Sequence, residues 1–305
     1  PKLLDVAQSF IAKKQAKFAL SGSSARKLKR GAANLLAGRA YTYFLHPLSA
    51  EELSEYFSLD KYLAYGGLPH VWNVGSDAER VKYLRSYVST YLKEEISEGQ
   101  IVRNLEPFAK FLQIAAQSSG QIINYLKISR DVGVSDQTVK TYFQILEDTL
   151  IGFLLPAFSR SVRKSQGKMP KFYLFDTGVL RALRRSVDQP LTESNYQYGN
   201  LFEHFVISQI RKKAEYSGKD YQYSFLRLDH DKEIDLIIDR PGRPLAVVEI
   251  KSTSEIKRDH TDLIQRLIPD LGDVEAFLLS RDKTPRVFGR LKCLNWQQGI
   301  EEIVR

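Results

Sequence analysis

Along the chain, apolar positions first recur at helical spacing: Leu3, Leu4, Val6, Ala7, Phe10 and Ile11 predict an amphipathic helix. KFALSGSS then reads as a short apolar strand closing on a small polar turn. ARKLKRGAANLLAGRA reads as a basic helical segment broken at Gly31. YTYFL predicts a strand leading to Pro47, and in SAEELSEYF Ser49 precedes Glu52 by three residues, the spacing of a capping box. Gly66-Gly67-Leu68-Pro69 marks a turn, and the pattern from Ala78 to Gly120 is helical. INYLKISRDVGVSDQTVKTYFQILEDTLIGFLLPAF predicts a helix, a turn at Gly133, a helix from Ser135 and a strand after Gly152. KFYLFD supplies a second strand beyond the loop SRSVRKSQGKMP, so the order is that of a winged helix. The last third predicts a helix over 201–214, strands over 221–228, 233–239 and 245–251, a helix over 259–268 and a strand over 274–279. Boundaries near 75 and 190 divide the chain into segments 1–75, 76–190 and 191–305.

One stretch breaks its own pattern. EIDLIIDRPGRPLAVVEIKS, residues 233–252, is a greasy hairpin that carries Asp235, Glu249 and Lys251 inside its strands. An unpaired charge in such a place costs several kcal/mol, roughly. Alternation puts Leu245, Val247, Glu249 and Lys251 on one face. If the hairpin turns about Gly242, with Arg240 facing Pro244, Asp235 falls opposite Glu249 on that face. A tighter two-residue loop at Pro241-Gly242 shifts the register and sends Asp235 to the other side. In the first register two carboxylates and a lysine converge, and the carboxylates repel unless a cation sits between them. Mg²⁺ or Mn²⁺ suits such hard oxygen donors, and the lysine can orient or help deprotonate a water. Glu203, in the apolar helix NLFEHFVISQI, could complete the shell. The plainer alternative is a structural ion pair of Glu249 and Lys251 with Asp235 solvated at a strand edge.

Composition narrows the partners. The chain has 305 residues, enough for two or three domains, and 45 basic against 36 acidic side chains give a net charge of +9. An acidic partner follows, with nucleic acid first and DNA ahead of RNA. On the candidate recognition helix Gln137, Thr138 and Thr141 can reach base edges and Lys140 a phosphate. Arg160, Arg163, Lys164, Lys168 and Lys171 make the wing loop basic. The alternative is a winged helix that packs between domains as a scaffold. The lone cysteine, Cys293, excludes an internal disulfide and points to the cytoplasm. No apolar run reaches the length of a membrane span, so no membrane partner is expected. The five histidines show no metal-ligand spacing, and the sequence leaves a homo-oligomer open.

The order Glu203, Asp235, Glu249-Ile250-Lys251 resembles the PD-(D/E)XK nuclease superfamily. That resemblance implies an α/β core with Glu203, Asp235 and Glu249 holding Mg²⁺ or Mn²⁺ and Lys251 as the fourth catalytic residue. Over nearly its whole length, through GSSARKL, LAGRA, GGLP and the winged helix, the chain resembles prokaryotic AAA+-type ATP-binding proteins with a C-terminal domain of unknown function. The resemblance implies an α/β multidomain protein: an ATPase-core remnant (1–75), a helical and winged-helix domain (76–190) and a nuclease-like domain (191–305). It places Ser21 and Ser23 where such ATPases keep a sensor residue near the γ-phosphate. No G-x-x-x-x-G-K-[ST] loop occurs, the chain opens on Pro1, and its one methionine is Met169. It therefore reads as a fragment starting after Walker B, with ATP bound only when the missing segment is present. The expected function is ATP-regulated action on nucleic acid with a metal-dependent phosphodiesterase site. The alternative is a catalytically silent DNA- or protein-binding module coupled to an ATPase switch, and whether the chain is an enzyme stays open.

Overall fold

The structure is a computed structural model that describes residues 2–13, 16–21, 41–91, 105–159, 168–229 and 232–305. Helix α1 spans Lys2–Ala12, followed by α2 (Ala50–Leu53), α3 (Leu59–Tyr65), α4 (Pro69–Asn73) and α5 (Asp77–Ser86). Ser49 and Glu52 form the expected capping box at the start of α2, each side chain bonding the other's backbone N–H. Helices α6 (Leu105–Gln117), α7 (Tyr125–Val132) and α8 (Asp136–Asp148) come next. Helix α7 ends at Gly133 in the left-handed conformation and Ser135 caps α8, so the helix–turn–helix follows directly from the sequence. An antiparallel ribbon of β1 (Gly152–Leu155) and β2 (Lys171–Leu174) completes that unit.

After α9 (Thr177–Leu183), the long helix α10 (Tyr196–Tyr216) leads into β3 (Gln222–Asp229), β4 (Lys232–Asp239) and β5 (Leu245–Lys251). Helix α11 (Asp262–Leu271) crosses over to β6 (Val274–Ser280), and β7 (Arg286–Phe288), β8 (Leu291–Asn295) and α12 (Trp296–Val304) close the chain. The six strands form one mixed sheet in the order β3-β4-β5-β6-β8-β7, with β5, β6 and β8 parallel. The fold is thus mixed α/β with a second, two-stranded antiparallel sheet.

Alternation along the strands buries both faces. Ala246, Val248 and Ile250 join a large core shared with Phe202, Phe205 and Val206 of α10. Val247 and Ile237 join a smaller cluster with Ile264 and Ile268 of α11. Leu53, Leu63 and Val71, from the segment assigned to the ATPase remnant, belong to the same large core. The ribbon is stitched to the sheet: Phe158 N–H donates to the Phe225 carbonyl (2.6 Å) and Phe225 N–H to the Pro156 carbonyl (3.0 Å). Arg211 of α10 stacks on Phe153 of β1, its guanidinium 3.6 Å from the ring centre.

Two expected strands do not form. Residues 17–21 of KFALSGSS and 41–45 of YTYFL are irregular, and Tyr41, Tyr43 and Leu45 are 88%, 86% and 92% exposed. A strand needs a neighbour for its backbone N–H and C=O groups, and no described residues pair with these. Residues 22–24 of the first stretch, the basic segment ARKLKRGAANLLAGRA and wing-loop residues 160–167 lie outside the described residues.

Candidate active site

The turn of the charged hairpin decides the site. Arg243 N–H donates to the Arg240 carbonyl (2.9 Å), and Gly242 sits at φ 77°, a conformation that favours glycine. The strands then pair as Leu236↔Val248, Ile237↔Val247 and Ile238↔Ala246. This pairing ends at Leu236↔Val248, and Asp235 and Glu249 are the next residues beyond it on their two strands. Asp235 Oδ2 accepts a hydrogen bond from Ile250 N–H (2.7 Å), and Lys251 Nζ lies 2.7 Å from Glu249 Oε1.

Around Asp235 and Glu249 stand groups from β4 itself and from two other elements. Glu203 comes from α10, and Glu233 lies two residues before Asp235 on β4. Lys171 and Tyr173 come from β2 of the ribbon. Lys171 Nζ lies 3.6 Å from Glu203 Oε1 and is ion-paired with Glu233. The Tyr173 hydroxyl donates to the same Glu203 Oε1 at 2.6 Å. Burial pushes the Asp235 carboxyl well above the usual range, and the charges of Glu249 and Glu203 push it further. Burial also raises Glu249; Lys251 opposes the shift and Glu203 adds to it. Burial would lower the ammonium of Lys171, but Glu203, Asp235 and Glu233 outweigh it and hold the group charged. For Lys251 burial is likewise outweighed, here by Glu249 and Asp235.

Four carboxylates against two ammonium groups leave the cluster negative, in a setting where uncompensated charge is costly. Oε2 of Glu249 is buried without a hydrogen-bond partner. Among the described residues, no three His, Cys, Asp or Glu side chains already form a metal shell. In kind and charge the donors fit a hard divalent cation: all are carboxylate oxygens, net negative, with one acceptor unused. In arrangement, an ammonium holds Glu203 and Glu233.

The residues assigned on sequence therefore separate. Glu203, Asp235, Glu249 and Lys251 interact electrostatically in one cluster. Ser21 is exposed in irregular chain, and Ser23 lies outside the described residues. Gln137, Lys140 and Thr141 are exposed on α8, and Thr138 is half-buried there. Their polar groups are engaged locally: Lys140 pairs with Asp136 at 3.2 Å, Thr141 donates to the Gln137 carbonyl, and Thr138 bonds the Ser135 cap. Lys168 is exposed, whereas Arg163 and Lys164 lie outside the described residues. Lys171, counted with the basic wing loop, is instead 4% exposed inside the acidic cluster. Sequence reasoning missed Glu233 and Tyr173, although each had a signal: Glu233 shares the strand face of Asp235, and Tyr173 that of Lys171.

Residues 56–190 match the family described as Domain of unknown function (DUF8612), and residues 198–296 match Domain of unknown function (DUF4143). Uncharacterized proteins of Mycobacterium tuberculosis and Mycobacterium bovis are each 27% identical over 239 residues, covering 78% of this chain and 53% of theirs. An uncharacterized protein of Haemophilus influenzae is 22% identical over 234 residues, covering 72% of this chain and 55% of its own. The chain thus spans about half the length of the curated relatives it matches. No solved structure matches it. Among the described residues, no helix is long and apolar enough to cross a membrane. The stretch that matches DUF4143 lies where the sequence predicts a C-terminal domain of unknown function, and it contains Glu203, Asp235, Glu249 and Lys251.

Proposed function

We propose that the DUF4143 region carries a divalent-cation-dependent phosphodiesterase site acting on nucleic acid, in a protein whose ATP-binding part lies in a preceding segment. The observation that carries this reading is the convergence of Glu203, Asp235 and Glu249, with Lys251 on Glu249 Oε1 and the second oxygen, Oε2, buried and unused. A divalent cation held by these carboxylates would supply Lewis acidity to a phosphodiester and make a nearby water more acidic. The chain's own residues do the rest. Ile250 N–H fixes the Asp235 carboxylate, Tyr173 fixes that of Glu203, and Lys251, its side chain 40% exposed, holds its ammonium on Glu249 Oε1. That ammonium can orient an attacking water and offset charge developing on a phosphoryl group. The net charge of +9 favours a polyanionic substrate.

Labelled DNA and RNA incubated with Mg²⁺ or Mn²⁺ test the reading. Cleavage is expected with wild type, abolished by chelator, and reduced about a hundred-fold or more in Asp235→Asn and Lys251→Ala. Absence of cutting on every substrate, with variants and wild type alike, would overturn it.

A second reading has its own observation: the Lys171 ammonium already pairs with both Glu203 and Glu233, as in a structural ion cluster. The protein would then be a silent DNA- or protein-binding module, with α8 as its reading surface. In that case DNA affinity survives Lys251→Ala. Lys140→Ala lowers affinity only a few-fold and reduces the salt slope by about one, as for a single phosphate contact.

A further inference from the structure

The ribbon and the acidic cluster are not independent. Lys171 and Tyr173 alternate on one face of β2, and both end on the same oxygen of Glu203. The ribbon itself is hydrogen-bonded to the sheet that carries Asp235 and Glu249. The Lys171 side chain is buried, and its second partner, Glu233, is on the strand of Asp235. An ammonium placed this way serves neither solvent nor an incoming phosphate, because Glu203 and Glu233 engage it.

We propose that Lys171 is a built-in counter-cation that competes with a divalent ion for the carboxylates of this site, so that the position of the ribbon sets the site's affinity for metal. The inference rests on the cation-dependent reading above. A tethered ammonium partly offsets the charge of Glu203 and Glu233, and a divalent ion entering beside them must displace it or tolerate its repulsion. By reciprocity, an ion that binds loosens the hold of the cluster on β2. Tyr173 stays as the neutral donor that keeps Glu203 oriented. Lys251 differs: it is partly exposed and pairs with Glu249 rather than with Glu203 and Glu233.

The test is Mn²⁺ titration by calorimetry of wild type, Lys171→Met and Lys171→Arg, with circular dichroism as the check on folding. Lys171→Met is expected to bind Mn²⁺ about ten-fold or more tightly than wild type, and Lys171→Arg to stay within about two-fold of it. Amide hydrogen exchange of wild type gives a readout that needs no variant: the Lys171–Leu174 amides should exchange faster in saturating Mn²⁺ than without it. Equal affinities in all three proteins, with unchanged exchange, would overturn the counter-cation role and leave the cation site standing. No Mn²⁺ binding by wild type or by Lys171→Met would overturn both. Should Lys171→Met not fold, the exchange result decides alone: faster exchange supports the role and unchanged exchange overturns it.

Discussion

Replacing Arg240 with methionine is expected to lower the unfolding free energy by about 2–4 kcal/mol. Its side chain is fully buried, and its guanidinium bridges three elements. Nη2 donates to the Pro244 carbonyl and to Glu275 Oε2, both at 2.6 Å, and Nη1 reaches the Ile303 carbonyl at 3.4 Å. Arg240 thereby pins the hairpin turn to β6 and to the end of α12. Removing it breaks a charge-assisted bond to Glu275 and leaves the Pro244 carbonyl without its side-chain donor, while Arg243 still reaches Glu275 Oε2 at 3.2 Å and the Ile303 carbonyl at 3.4 Å. Lysine offers one point charge in place of the planar fork, so Arg240→Lys should recover only part of the loss. Gly242→Ala, at φ 77°, should cost about 1–2 kcal/mol by backbone strain alone. Urea unfolding midpoints check all three, and a loss under about 1 kcal/mol for Arg240→Met would mean the turn is held by other contacts. The functional consequence is specific. This turn sets the register of the two strands that carry Asp235 and Glu249, so on the phosphodiesterase reading proposed above a loosened turn should reduce cleavage without touching a charged group of the site.

Asp176→Ala is expected to cost a similar amount, about 3–5 kcal/mol. The Asp176 carboxylate is buried; Oδ1 accepts from Gly178 and Val179 N–H at the start of α9, and Oδ2 from Gly67 N–H at 2.7 Å. Three backbone donors would be left without a partner in a dry interior, each costing roughly 1–3 kcal/mol before relaxation. The same contact explains the paired glycines. Gly66 lies at φ 77°, and a Cβ there would come within 2.0 Å of Asp176 Oδ1. A Cβ on Gly178 would meet the Tyr65 carbonyl at 2.0 Å, and one on Gly67 the Leu48 carbonyl at 2.5 Å. Gly66→Ala should therefore destabilise as well, and combined with Asp176→Ala the losses should fall short of additive, because both break one interlock. Thermal unfolding of the two single variants and the double variant measures this; full additivity would show that the two sites act separately.

Local chemistry made much of the fold legible. The Ser49–Glu52 box, the Gly133 stop and the Ser135 cap are interactions within a few residues of one another, and each formed where the sequence placed it. The hairpin register was legible for the same reason, since turn geometry and strand alternation together leave two choices. The strands expected over KFALSGSS and YTYFL failed because apolar content favours a strand without supplying the neighbour it must bond.

What the sequence by itself determined is therefore the local layer: helix ends, the helix–turn–helix and its ribbon, and the order Glu203, Asp235, Glu249, Lys251 on successive elements. What only the tertiary structure decided is which charges meet. Lys171 stands 32 residues before Glu203 and 62 before Glu233 in the chain. It read as one more basic residue of an exposed loop, until packing of the ribbon on the sheet buried it among carboxylates. Arg240 and Asp176 were hidden in the same way, their partners lying 63 and 109 residues distant. A buried charge is stable only beside its counter-charge or donors, and those come from elements brought together by burial of apolar faces that carry no trace of the pairing.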